Sequence, residues 1–374
     1  MVIPSKNSGQ ALSNNTYYEK KPKISIMSLN EVHFGGPDMP PYRLRDLLAE
    51  RIAAVPSGGA IDWVTYYFRD RRLAEDLLRA HRRGVKVTVT LEKCPRTLQA
   101  NESVTAILSG RSGLGSGFRS LSLRKIPIPF GSAKKPHVHE KLYCFSHPRP
   151  TAFIGSFNPS GDGSEDDRAI IDEIGDQDRG HNVLVGLTDP VLVGRLVEHA
   201  RLIHRARCIM LYRFSNNANR AVRGKNTEIH FWPRVRPHPV LRFLSRLGAK
   251  ARIRIAASHL KGALVVKAIK GLAYRGATVE ILAEPTLRRV PVEVERMLAQ
   301  AGISFRRLTH PEGLPMHNKF VLAEKGGQKW VIFGSFSWTD RSYRLNHEIG
   351  AISTDDRLFD AFARRWEVLA AQQD

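Results

Sequence analysis

The feature that most constrains this chain is a single order of landmarks written twice along it. A short strand reads Glu31-Val32-His33-Phe34 in the first copy and Glu228-Ile229-His230-Phe231 in the second. Each is soon followed by Pro and an amphipathic helix, YRLRDLLAERIAAV or PVLRFLSRLG, with apolar residues three and four apart. Next come helix, Arg-Gly and strand, in HRRGVKVTVTLE ending near Glu92 and AYRGATVEILAE ending near Glu284, where Gly84 and Gly276 suit the left-handed cap that ends a helix. The third landmark pairs His with Lys. The fourth is a strand running into a capped helix, VLVGLTDPVLVGRLVEHARLIHRA against IGAISTDDRLFDAFARRWEVLAA, with Thr188-Asp189-Pro190 and Thr354-Asp355 as start signals. Any one of these is weak, because unrelated α/β domains share loose patterns. Four in the same order indicate an internal repeat.

Strands alternating with amphipathic helices predict an α/β chain: two similar α/β/α sandwich domains with mixed sheets, related by pseudo-twofold symmetry. The expected boundaries are a disordered tail at 1–23, a first domain at 24–207, a polar, Asn-rich linker at 208–226 and a second domain at 227–374. A chain with 42% hydrophobic and 25% charged residues can bury a real core. Its 58 Lys and Arg against 36 Asp and Glu, a net +22, favour polyanionic partners, either nucleic acid or an anionic membrane surface. An Arg-rich solvated surface gives the same balance. Cys94, Cys144 and Cys208 lie far apart, the first residues lack the apolar core of a signal peptide, and no run of about 18 apolar residues occurs. The expected location is therefore the cytoplasm, with or without peripheral attachment to a membrane.

The chemistry sits in the third landmark. PHVHEKLYCF precedes TAFIGSFNPSG in the first half, and PMHNKFVLAE precedes KWVIFGSFSWT in the second. Both read as hairpins. His139 and Lys141, like His317 and Lys319, are two apart on a strand and should project from one face. On the returning strands Gly155 and Gly334 would let a ligand approach, and Ser156, Asn158, Ser335 and Ser337 would donate to phosphate oxygens. Phosphodiester cleavage needs a nucleophile at phosphorus, an acid for the leaving oxygen and fixed positive charge. Imidazole can serve either of the first two roles near neutral pH, and lysine supplies the third.

The two His-x-Lys pairs, each followed by Gly-Ser, resemble the double HKD motif of the phospholipase D superfamily, over nearly the whole chain after residue 23. That resemblance implies a site between the halves, a covalent phosphohistidine intermediate and no metal or other cofactor, with His139 as nucleophile and His317 as acid by analogy. Asn346-His347-Glu348 resembles the acidic position that orients a catalytic imidazole, with Glu348 and Asn346 as the orienting groups. The first-half counterpart, His181-Asn182-Val183, lacks the carboxylate, leaving Asn182, His181 or a nearby acid to fix the ring. The pattern also departs at Ser146 and Glu324, where the family carries a structural Asp, and at Ser337, where it carries Asn.

Two full copies in one chain resemble bacterial lipid enzymes. A phospholipase D or cardiolipin synthase-like enzyme acting on phospholipid, as a monomer on an anionic phospholipid or membrane surface, is thus the first expectation. A metal-independent nuclease is the alternative, and a phosphate-binding protein that has lost turnover is the third. Helix VGRLVEHARLIHRAR could rest on anionic headgroups. Of the remaining residues, His137 reads as pocket wall or surface rather than a zinc ligand, and His33 and His230 as packing or supporting groups. Tyr66, Tyr67 and Phe68 read as a buried edge or a substrate wall, and the acidic stretch Asp162 to Asp178 as a solvated loop or a lid.

Overall fold

A computed structural model describes residue 1 and residues 30–123, 126–128, 131–161, 168–206, 219–234 and 238–372, with the backbone alone at 126–128 and 131–134. Cys208, the segment 162–167 and most of the expected tail and linker lie outside these residues. The first half contributes strands β1 (Glu31–Gly35), β2 (Ala60–Thr65), β3 (Lys86–Glu92), β4 (Phe118–Leu121), the small pair β5 (Ile126–Ile128) and β6 (Gly131–Lys134), β7 (Lys141–Phe145), β8 (Thr151–Gly155) and β9 (Asn182–Leu187). The second contributes β10 (Val222–Arg223), β11 (Thr227–Trp232), β12 (Arg252–Ala257), β13 (Leu260–Lys261), β14 (Thr278–Ala283), β15 (Ser304–Arg307), β16 (Lys319–Lys325), β17 (Gln328–Gly334), β18 (Trp338–Thr339) and β19 (Glu348–Ser353).

The sheets are two copies of one topology. The first runs β1-β9-β8-β7-β2-β3-β4 and the second β11-β19-β17-β16-β12-β14-β15, with β10 added beside β11. Both are mixed, since the β2-β3-β4 and β12-β14-β15 ladders are parallel and the others antiparallel. Val222 and Arg223, placed in the linker by composition, thus form an edge strand on the second sheet.

Local chemistry fixes the helices. Asp70, Asp189 and Asp355 cap the helices Arg71–Arg82, Pro190–Arg205 and Asp356–Ala371 by accepting from first-turn N–H groups. Gly84 (φ +91°) and Gly276 (φ +83°) turn the chain from helix to strand in a conformation that a side chain would strain.

Because both faces of each sheet are covered, successive residues of one strand serve different cores. Trp63, Tyr143, Phe153 and Leu184 pack under the outer helices of the first half; Val64, Leu142, Ile154, Val183 and Val185 face inward. In the second half Val321 and Ile332 face outward, whereas Phe320, Leu322, Val331 and Phe333 join the inner set. That inner set is one core shared by both halves, completed by the two long helices through Leu196, Ile203, Phe362 and Trp366. Helix Pro190–Arg205 therefore turns one face into this core, and Arg201 on its outer side is held by Asp62 at 3.0 Å. Among the described residues no helix is long and apolar enough to cross a membrane.

Candidate active site

Each histidine lies just ahead of a strand rather than on it. β7 begins at Lys141 and β16 at Lys319, and the preceding segments leave their sheets to bond across to the other half. Val138 bridges His347, with His139 N–H donating to the His347 carbonyl (2.9 Å) and His347 N–H to the His137 carbonyl (2.8 Å). The symmetry-related bridge joins His181 and Met316, with His317 N–H donating to the His181 carbonyl (2.9 Å). Two buried carboxylates hold these crossings from behind: Val138 N–H donates to Glu92 (2.7 Å) and Met316 N–H to Glu284 (2.9 Å). The sequence offered a signal for them, an acid ending the same apolar strand in both copies.

The orienting contacts are crosswise. His139 Nδ1 lies 3.0 Å from Oε2 of Glu348, a second-half residue, and His317 Nδ1 lies 2.9 Å from Oδ1 of Asn182, a first-half residue. Ser335 Oγ donates to Glu348 (2.5 Å) and Ser156 Oγ to Asn182 (2.9 Å), while each hydroxyl accepts the next backbone N–H, from Ile349 or Val183. Asn182 Nδ2 donates to the Gln177 carbonyl, which leaves its Oδ1 as the acceptor facing the ring. Asn346 Nδ2 reaches Glu348 Oε1 at 3.3 Å, and Asn346 Oδ1 accepts from His137 N–H. Both imidazoles therefore carry their proton on Nδ1 and turn Nε2 away from the brace.

Ser156 and Ser335 thus hold the orienting residues rather than meeting a phosphate, because both hydroxyls are committed and buried. Their N–H groups are committed as well, to Val183 and Ile349 carbonyls. The preceding glycines serve the same contact. A Cβ at Gly155 would sit 2.0 Å from the Val183 carbonyl oxygen, and one at Gly334 2.3 Å from that of Ile349, so the missing side chain admits a neighbouring strand and not a ligand.

His139 and His317 line one cavity of about 510 Å³, together with Asn158 and Ser337, the other two donors expected from the sequence. His137, Tyr66 and Tyr67 form part of its wall, with Tyr66 in edge contact with His139 at 4.9 Å. The tyrosines are also pinned as an edge, since their hydroxyls accept from Arg96 and Thr97 N–H. The twofold-related wall carries His259, and Lys261, Arg288, Arg289 and Arg341 add positive charge, none of which the sequence had singled out. The acidic stretch is partly a cover: helix Arg168–Ile174 brings Ile174 and Glu173 to the cavity, where Glu173 pairs with Arg96 (3.1 Å) and Arg288 (2.8 Å). Of the departures from the motif, Ser146 accepts from Ala60 N–H and Glu324 pairs with Arg254, both away from the cavity.

Lys141 and Lys319 lie buried behind the rings, each donating to the carbonyl of its own histidine, at 2.8 and 3.0 Å. Lys319 Nζ is also 2.9 Å from His317 Nε2. Burial, and then the lysine charges, hold both imidazoles well below their ordinary pKa. Burial brings Lys141 down to about 7 against the pull of Glu348, and raises Glu348 to about 7 against that of Lys141. The charges of both lysines act on each imidazole. Among the described residues no three His, Cys, Asp or Glu side chains converge as metal ligands.

The family model described as cardiolipin synthase, PLD-like domain, matches residues 56–178 and 244–369, once in each half. The chain belongs to the phospholipase D superfamily. Members of this superfamily are generally phosphodiester hydrolases or transferases. Phosphatidylserine synthase of Haemophilus influenzae Rd KW20 shares the phospholipase D-like fold with TM-score 0.61 at 13% identity, over 91% of this chain and 86% of the synthase. Polyphosphate kinase of Porphyromonas gingivalis matches with TM-score 0.57 at 13% identity, over 92% of this chain and 51% of the kinase, so this chain spans about half the kinase's length. No curated protein matches it in sequence.

Proposed function

We propose that this protein is a phosphodiester hydrolase or phosphatidyltransferase acting on phospholipid through a phosphohistidine on His139. The observation that carries the reading is the pair of imidazoles in one cavity, each braced at Nδ1 by the opposite half, with two buried lysines behind them. The braces differ, and the difference supports this division of roles. A carboxylate favours the cationic ring that forms when Nε2 bonds to phosphorus, which suits His139 beside Glu348. A neutral amide leaves the opposite imidazolium a stronger acid, which suits His317 beside Asn182.

In the first step the His139 Nε2 lone pair attacks phosphorus and the bond to the leaving oxygen breaks as His317 passes it a proton. In the second, His317 takes a proton from water or an acceptor alcohol, whose oxygen displaces His139 and completes the new ester. Lys141 and Lys319 neutralise the non-bridging oxygens; Lys319 exchanges its contact with His317 for the phosphate.

Exposed apolar side chains favour phospholipid. Leu98 is 54% exposed two residues along the chain from the cavity-lining Arg96, and Leu287 is 58% exposed and adjacent in sequence to the cavity-lining Arg288. That combination suits the headgroup layer of an anionic bilayer. The test incubates the protein with EDTA and either phosphatidylglycerol vesicles or plasmid DNA, alongside His139→Ala and His317→Ala. Phosphatidic acid or cardiolipin formed by the wild type alone supports the reading. DNA cleavage without lipid turnover reassigns the substrate, and phosphate binding without either product overturns the enzyme.

A further inference from the structure

A larger cavity, of about 880 Å³, lies elsewhere on the second half, between the β10-β11 edge, helix Pro239–Ser245 and the β16-β17 turn. Lys325 lines it at one end of β16 and Lys319 stands at the other, so about 20 Å of strand separates this cavity from the catalytic lysine. Among the described residues the first half has no counterpart of β10.

Its lining is strongly cationic. Arg223, Lys225, Arg234, Arg242, Arg246 and Lys325 contribute positive charge against the one carboxylate of Glu228. Of these, only Arg223 pairs with it, at 3.1 Å; among the described residues the other five have no carboxylate within ion-pair distance. Half-buried Arg234 feels this most, since burial lowers its pKa with only Glu228 opposing. At the wall lies His230, 6% exposed, whose two ring nitrogens have no hydrogen-bond partner among the described residues and whose ion-pair contact, with Glu228, is 3.8 Å long. Buried polar atoms are ordinarily satisfied, and guanidinium groups gathered without carboxylates repel one another unless an anion lies between them. Phe243 and Trp330, in edge contact at 5.5 Å, supply an aromatic wall.

We propose that this cavity is a second anion site, distinct from the catalytic one, which takes an oligophosphate chain either free or carried by a nucleoside. The guanidinium groups would grip successive phosphates, and His230 would donate to the innermost. One phosphate would leave most of the volume and most of the charge unused. Trp330 and Phe243 offer a platform for a base if the chain carries one.

Calorimetric titration with tripolyphosphate and with ATP, at about 0.15 M salt, tests this. The proteins are the wild type, Arg234→Gln/Arg242→Gln and His317→Ala. The expected result is a saturable site that survives His317→Ala and weakens by at least about tenfold in the double variant, the loss expected when charge-assisted hydrogen bonds are removed. Equal affinity for the two probes assigns the free chain. Tighter ATP binding that Trp330→Leu abolishes assigns the nucleotide. An isotherm unchanged in the double variant, or uptake abolished by His317→Ala, overturns the proposal. Thermal midpoints without ligand establish that the variants are folded, and Arg246→Gln, at an exposed position, carries the same expectation if the double variant is not.

Discussion

Replacing Glu348 by Gln should slow attack on phosphorus while leaving the cavity's shape intact. The carboxylate lies 3.0 Å from His139 Nδ1 and is fully buried, and a glutamine oxygen can occupy the same place and still accept from Ser335. What disappears is the charge. At an effective dielectric constant of about 20, opposite charges at this distance attract by roughly 5–6 kcal/mol. Burial, which raises Glu348 to about 7, works against its ionisation and so reduces this attraction. A carboxylate beside an ionisable group shifts its pKa by about 1–3 units, or about 1.4–4 kcal/mol, so kcat should fall by about 10- to 1000-fold. The assay is stopped-flow release of p-nitrophenolate from a p-nitrophenyl phosphodiester, whose leaving group needs little help from an acid. The thermal midpoint should hold or rise, because a buried carboxylate has been neutralised. Unchanged p-nitrophenolate release would refute the assignment of Glu348 to the nucleophile.

Asn182→Ala, which frees His317, should leave p-nitrophenyl ester turnover within about threefold of wild type and slow an alkyl ester by about 10- to 100-fold, as checked by parallel steady-state rates. In the pH profile of kcat/KM, activity should decline as pH rises from below 6.5 through about 7, because His317, held well below its ordinary pKa, must be protonated to act as the acid and Lys141 must keep its proton to bind the anion. The acid limb should lie well below pH 6.5, because His139 is held low and must be unprotonated to attack. Glu348→Gln should move the basic limb to lower pH, since it removes the charge that supports the Lys141 ammonium. Leu98→Ser/Leu287→Ser should lower the ratio of vesicle to soluble-diester turnover by roughly tenfold, from the loss of apolar side chains at the bilayer surface.

The repeat was legible because its landmarks are local: caps, left-handed glycines and alternating apolar strands act within a few residues. The His-x-Lys pairs were legible for the same reason. What could not be read is what depends on the two halves meeting. Sequence adjacency joins His139 to Ser156 and His317 to Glu348, whereas the structure braces His139 with Glu348 and His317 with Asn182, because the segments ahead of β7 and β16 pair across the interface. The same crossing ends each strand at its lysine and commits the Gly-Ser turns to holding the braces. Composition also misplaced residues 222 and 223, because a two-residue edge strand has no period to detect.

The most direct measurement is intact-mass and peptide mass spectrometry of His317→Ala after acid-free quenching with a p-nitrophenyl phosphodiester. The expected result is one acid-labile phosphoester adduct on the peptide carrying His139, absent from His139→Ala. An adduct on His317 in the His139→Ala protein, or wild-type turnover with no adduct on either histidine, would contradict a phosphohistidine at His139.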